Sequence, residues 1–150
     1  MTTKLFTTLL AAAASIILVC SCSSDAGITV VAGTWSYTLE EGIPLPGPTV
    51  QSCKATATGT ATVASDGTYS IAFPALSCSG CTMLASTTGA ISSSSIAGSV
   101  TASISGSGCS AQGPTPNPAP ATGRCNSTTC SATTPEGASF AVDYTLSPPS

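Results

Sequence analysis

The stretch ATATGTATVASDGTYSIAF, residues 55–73, decides the fold. Ala55, Ala57, Gly59, Ala61 and Val63 alternate with Thr56, Thr58, Thr60 and Thr62, a period of two that puts the threonines on one face of a strand. Tyr69, Ile71 and Phe73 alternate in the same way after the turn. Ser65-Asp66-Gly67 suits a three-residue hairpin loop, a type I turn closed by a left-handed glycine. Residues 64 and 68 then pair, so that Val63 faces Tyr69, Ala61 faces Ile71 and Gly59 faces Phe73. A two-residue Asp-Gly loop would send the two apolar sets to opposite faces, and register excludes it.

The same alternation recurs outward from this hairpin. Val31, Gly33, Trp35, Tyr37 and Leu39 share a face upstream; Ile96, Val100, Ala102 and Ile104 line a later strand; Phe140, Val142, Tyr144 and Leu146 line the last. No segment after residue 30 carries a helical period. The expectation is an all-β domain over residues 31–150, a small antiparallel β-sandwich or open barrel of about six or seven strands. Pro135-Glu136-Gly137 repeats the turn chemistry, pairing Thr134 with Ala138 and setting Cys130 beside Val142. Residues 112–123, with Pro114, Pro116, Pro118 and Pro120, read as a Pro-rich loop that cannot enter a sheet interior.

Composition narrows the chemistry. Only 6% of the 150 residues are charged, Lys and Arg number three, and there is no His. That leaves no basic footprint for nucleic acid and no Ser-His-Asp arrangement. The carboxylates are scattered. Glu40 and Glu41 are adjacent and point to opposite faces of a strand, Asp66 and Glu136 sit in turns, and Asp143 lies on the polar face of the last strand. No pair is placed for acid–base work, no metal site or cofactor is expected, and the chain reads as non-enzymatic. Asn126-Ser127-Thr128 is a glycosylation sequon.

The N-terminus supplies an address. Met1–Lys4 carries one positive charge, and Leu5–Val19 is uncharged and mostly apolar. At about 22 Å as a helix, that segment is short for a ~30 Å bilayer core and fits a signal peptide. Val19-Cys20-Ser21-Cys22 resembles the lipobox of bacterial lipoproteins, with Cys20 a departure at its most tolerant position. The resemblance implies removal of residues 1–21, acylation of Cys22 and a lipidated tether over residues 22–30. Ser23 in the sorting position implies the outer membrane, so that the membrane is the expected partner. An ordinary secretory signal cleaved near Ser21–Ser24 is the alternative.

With Cys20 and Cys22 set aside, Cys53, Cys78, Cys81, Cys109, Cys125 and Cys130 remain, an even set suited to three disulfides in an exported chain. The hairpin register places Cys53 beside Ser79, so Cys53 is expected to bond Cys78 or Cys81. Cys109 and Cys125 flank the Pro-rich loop and are expected to close it, leaving Cys130 for the remaining member of the Cys78/Cys81 pair. Cys78-Ser79-Gly80-Cys81 also has thiol-oxidoreductase spacing, but no helix N-terminus or cation follows to activate a thiolate. Together with Cys125 and Cys130 it could mimic a four-cysteine zinc site, in which two short spacings are usual.

Gly33-Thr34-Trp35 resembles the Gly-x-Trp of lipocalins, whose Trp closes one end of a small barrel. That resemblance implies a carrier of a small apolar ligand. The lipocalin Arg that packs on this Trp lies near the last strand, whereas Arg124, the sole Arg here, precedes the final hairpin. A lipobox ahead of a Gly-Thr-Trp strand also resembles lipoproteins of Gram-negative bacteria. The leading expectation is a lipid-anchored envelope protein acting by binding or structure. A lipocalin-like carrier follows it, and a thiol oxidoreductase using Cys78 and Cys81 stands last.

Overall fold

The computed structural model describes residues 26–45, 51–109, 118–135 and 140–150. Nine strands follow in chain order: β1 (Gly33–Leu45), β2 (Gln51–Val63), β3 (Thr68–Ala72), β4 (Leu76–Cys78), β5 (Cys81–Ile91), β6 (Ser95–Ser105), β7 (Ala119–Cys125), β8 (Cys130–Thr133) and β9 (Ala141–Ser147). Sequence neighbours pair antiparallel except β3 and β4, which both pair with β5, and β9 returns to β1. The result is a closed eight-stranded up-and-down barrel, to which β4 adds one short extra strand. The domain is therefore all-β and disulfide-tied as expected, but it is neither a sandwich nor open, and it has nine strands instead of six or seven.

Three segments account for the difference. β5 turns inward a row of mixed size (Met83, Ala85, Thr87, Gly89, Ile91), a weak apolar signal. β4 is three residues long and continues the line of β3 after Phe73-Pro74-Ala75. There the partner register on β5 slips by one, from Ala72↔Ser86 to Leu76↔Met83, a bulge at the proline that cannot donate to the ladder. β7 draws its first five residues from the Pro-rich stretch 112–123, of which residues 112–117 lie outside the described residues. Pro120 is tolerated because it stands beyond the last β7–β8 pair, Thr122↔Thr133, where its missing N–H costs no bond.

The first hairpin has the expected turn. Ala64 N donates to Thr68 O at 2.9 Å, Gly67 N to Ala64 O at 2.9 Å, and Gly67 takes φ 83°. Val63 faces Tyr69. Thr62 faces Ser70, and beyond that pair β3 leaves β2 while staying paired with β5 to Ala72↔Ser86, so the expected Ala61–Ile71 and Gly59–Phe73 pairs do not form. In the last hairpin Cys130 faces Leu146 instead of Val142, and Thr134 N donates to Val142 O at 3.3 Å. The slip from the Pro135-Glu136-Gly137 reading is even, so Cys130 keeps its inward face. Residues 136–139 lie outside the described residues.

The registers also fix the barrel's girth. Following partners from Gly33 leads through Val63, Tyr69, Gly89, Gly98 and Ala121. Continuing the β7–β8 and β8–β9 registers one residue past the end of β8 reaches Thr134 and then Val142, which returns to β1 at Glu41. The strands thus shear by eight residues around eight strands, the combination that gives a tilt of about 36° and an interior filled by side chains. Trp35, Tyr144, Ile43, Met83, Ile96 and Leu146 are among the fully buried residues. At mid-height Tyr69 and Tyr144 share a hydroxyl contact of 2.6 Å, with Thr87 Oγ1 3.4 Å from Tyr144. The facing pair Gly89 and Gly98 makes room for both rings, because a Cβ at either would collide with the hydroxyls.

The two barrel ends differ. At the proximal end, where β1 starts, the turns are 64–67, 92–94 and 126–129, and Ile28 docks there by donating its N–H to Ser93 O at 2.8 Å. Ile28 is buried in the core, so the expected tether 22–30 already belongs to the barrel by that residue. At the distal end lie the tight Ser79-Gly80 turn, the end of β1 and the start of β2, the end of β6 and the start of β7, and the end of β8 and the start of β9.

Candidate functional site

Three disulfides form among the six expected cysteines: Cys53–Cys78, Cys81–Cys109 and Cys125–Cys130. Cys53 takes one of its two expected partners. The expected Cys109–Cys125 bridge is replaced, because β7 carries Cys125 to the proximal end while Cys109 follows β6 at the distal end. Cys130 therefore closes the β7–β8 hairpin on Cys125 and takes neither Cys78 nor Cys81. Cys78 and Cys81 face each other across the Ser79-Gly80 turn, yet each is bonded elsewhere. The C-x-x-C is thus not a dithiol pair, and it lies at the opposite end of the barrel from Cys125 and Cys130. Among the described residues no cluster of three or more His, Cys, Asp or Glu is placed to hold a metal. Cys22 lies outside the described residues, as do Cys20 and Glu136.

The carboxylates divide by strand parity. Glu40 faces out and binds Lys54 Nζ at 3.2 Å, both side chains exposed. It stands opposite Asp143, which is half-buried. Burial and the neighbouring Glu40 charge raise the Asp143 pKa, while the Thr134 amide and Lys54 oppose the shift. Around them Thr38, Thr56, Thr58, Thr133 and Thr145 line a shallow outer groove of about 520 Å³ over β2, β1, β9 and β8. Asp66 stays in its turn role, held low by hydrogen bonds from the Thr68 backbone amide and hydroxyl. Arg124 is exposed on β7 and does not reach the interior where Trp35 sits. Asn126 of the sequon caps the β7–β8 turn, its Oδ1 accepting from Thr128 N and Thr129 N.

Glu41 is the residue that sequence reasoning missed. It is 3% exposed, lies on the inward row of Leu39 and Ile43, and its Oε1 is buried without a hydrogen-bond partner. Burial pushes its pKa from 4.5 up to about 7. The parity of Trp35, Tyr37 and Leu39 carried the signal, since residue 41 shares their face.

A raised acid pKa means that the folded state binds the proton more tightly than the unfolded state. Stability is therefore intact below about pH 4.5 and is lost as pH rises through about 7. Glu41→Gln, which keeps the volume without the charge, should remove that loss. Urea melts between acid and mildly basic pH should show a Glu41-dependent decline on the order of 2 kcal/mol in the parent and none in the variant. Equal slopes would mean that Glu41 reaches solvent.

No protein-family model matches the chain, and no curated protein or solved structure does.

Proposed function

We propose that the protein is a lipid-anchored, non-enzymatic envelope protein that acts by binding, with acylated Cys22 holding the barrel at the outer membrane. The observation that carries this reading is the docking of Ile28 at the proximal end, six residues after Cys22. Six residues reach at most ~20 Å, so a lipid on Cys22 would keep the proximal turns against the bilayer and turn the distal end away. Two or more acyl chains give the stable hold that a single chain lacks. Three disulfides fit an oxidising compartment.

A lipocalin-like carrier is the second reading, favoured by a closed eight-stranded barrel with Gly33-Thr34-Trp35 at one end of its first strand. The shear of eight and the fully buried Trp35, Tyr144 and Met83 weigh against it, because a carrier needs room for cargo where these side chains stand.

Intact mass of the protein from the membrane fraction tests the anchor. The expected species begins at Cys22, carries acyl mass and has six cysteines in disulfides; Cys22→Ser should lose the acyl mass. An unlipidated chain beginning after Cys22 would refute the anchor.

A further inference from the structure

The barrel wall is not uniformly bonded. β2 pairs with β1 along its whole length, but with β3 only at Thr62 and Val63. Past that point β3 and β4 pair with β5 alone, and the Cys53–Cys78 disulfide ties β2 to β4 across the gap. A seam therefore runs between the first hairpin and this disulfide. Its β2 side presents Ala55, Ala57 and Gly59 on the inward row, and these small residues leave it open. Ala55 is exposed and Ala57 half-exposed, although their partners Glu41 and Leu39 are buried. The long side chains of β1 cover this row: the Tyr37 ring lies against Gly59 and meets Phe73 edge-on at 5.8 Å. Glu41 stands beside Ala55 by the same register.

We propose that this seam is a binding slot for a primary ammonium group on a short alkyl chain, with the buried Glu41 carboxylate as its counter-ion. The proposal deepens the binding reading above and is independent of the anchor. A carboxylate with a buried, unpartnered oxygen needs a donor, and an ammonium supplies three. Among the described residues, the inward rows flanking Glu41 bring none. Ala55 and Cys53 on β2 and Val142 on β9 carry no charge, and the titratable interior groups are the tyrosines Tyr37, Tyr69 and Tyr144. Glu40, Lys54 and Asp143 lie on the outer face, where Lys54 is already engaged with Glu40. The alkyl stem would lie along the alanines, the arrangement long amines adopt on apolar surface. A free amine and a lysine side chain of a partner share this chemistry.

The test follows the Glu41 carboxyl resonance in the folded, disulfide-bonded protein, assigned by its loss in Glu41→Gln. Titration with n-butylamine near pH 8 should saturate and lower the Glu41 pKa. Relative to pH 8, affinity should fall about thirtyfold near pH 5.5, where the carboxyl is protonated before binding. n-Butanol should not saturate. Ala55→Leu, which fills the slot and leaves the carboxyl in place, should weaken amine binding, as should Glu41→Gln. Nα-acetyl-lysine amide binding as tightly as n-butylamine would support a lysine of a partner, and tighter binding of n-butylamine would support a free amine. A Glu41 titration unmoved by amine, equal binding of n-butanol, or undiminished amine binding by Glu41→Gln would overturn the slot.

Discussion

Trp35→Ala is expected to lower the unfolding free energy by about 3–5 kcal/mol, a large share of the 5–15 kcal/mol or so that holds a domain together. Trp35 is fully buried on β1 and faces Ala61 across β2, so a small neighbour leaves the indole to fill that part of the barrel. Its Nε1–H donates to Val31 O at 2.9 Å, which satisfies the ring's one polar group. Trp35→Phe keeps most of the bulk and releases the carbonyl of Val31, a residue 40% exposed, to water. That change should cost only about 1 kcal/mol. Urea denaturation of the three proteins measures both values. A loss under about 1 kcal/mol for Trp35→Ala would mean that the interior has slack, and the carrier reading would regain its ground.

The face of each strand was legible because burial imposes a period of two, and that rule holds without knowing any partner. It placed Trp35, Tyr37, Leu39, Tyr69, Ile71 and Phe73 inward, where they are buried. Absolute register was legible only at Ser65-Asp66-Gly67, where the left-handed glycine fixes the loop length. At Pro135-Glu136-Gly137 the same turn chemistry suggested a tight hairpin, yet Thr134 binds Val142. Alternation tolerates any even slip, so the faces survived and the pairing did not.

Closure of the barrel depended on contacts that no local pattern carries. β3 pairs with β5 along its whole length but leaves β2 after two pairs, so the wall closes through residues of β5 that the hairpin turn does not fix. The expected partners of Cys109, Cys125 and Cys130 failed for a related reason: prolines concealed β7, and β7 separates Cys109 from Cys125. Glu41 was readable from parity, but it breaks the apolar row of β1, and an expectation of burial stops naturally at Leu39.

The bridges found in place of those expected make a second strong prediction. The double substitution Cys81→Ala, Cys109→Ala should cost about 3.5 kcal/mol, because Cys81–Cys109 spans 28 residues and restrains the unfolded chain accordingly. Cys125→Ala, Cys130→Ala spans only five and should cost about 2 kcal/mol. Chemical denaturation with the other two bridges intact measures each. The ordering follows from loop length and not from burial: Cys81 and Cys130 are both fully buried, so each pair loses a packed sulfur. A barrel whose interior includes Ala61, Ala85, Ala102, Ala119, Ala121 and Ala132 buries little area per residue, which leaves cross-links a larger part of the stability. Equal costs for the two pairs would place the stabilisation in packing around the sulfurs. A larger cost for Cys125–Cys130 would assign it to the proximal hairpin, where Ser94 O accepts from Cys125 N at 3.0 Å and ties β7 to the β5–β6 turn.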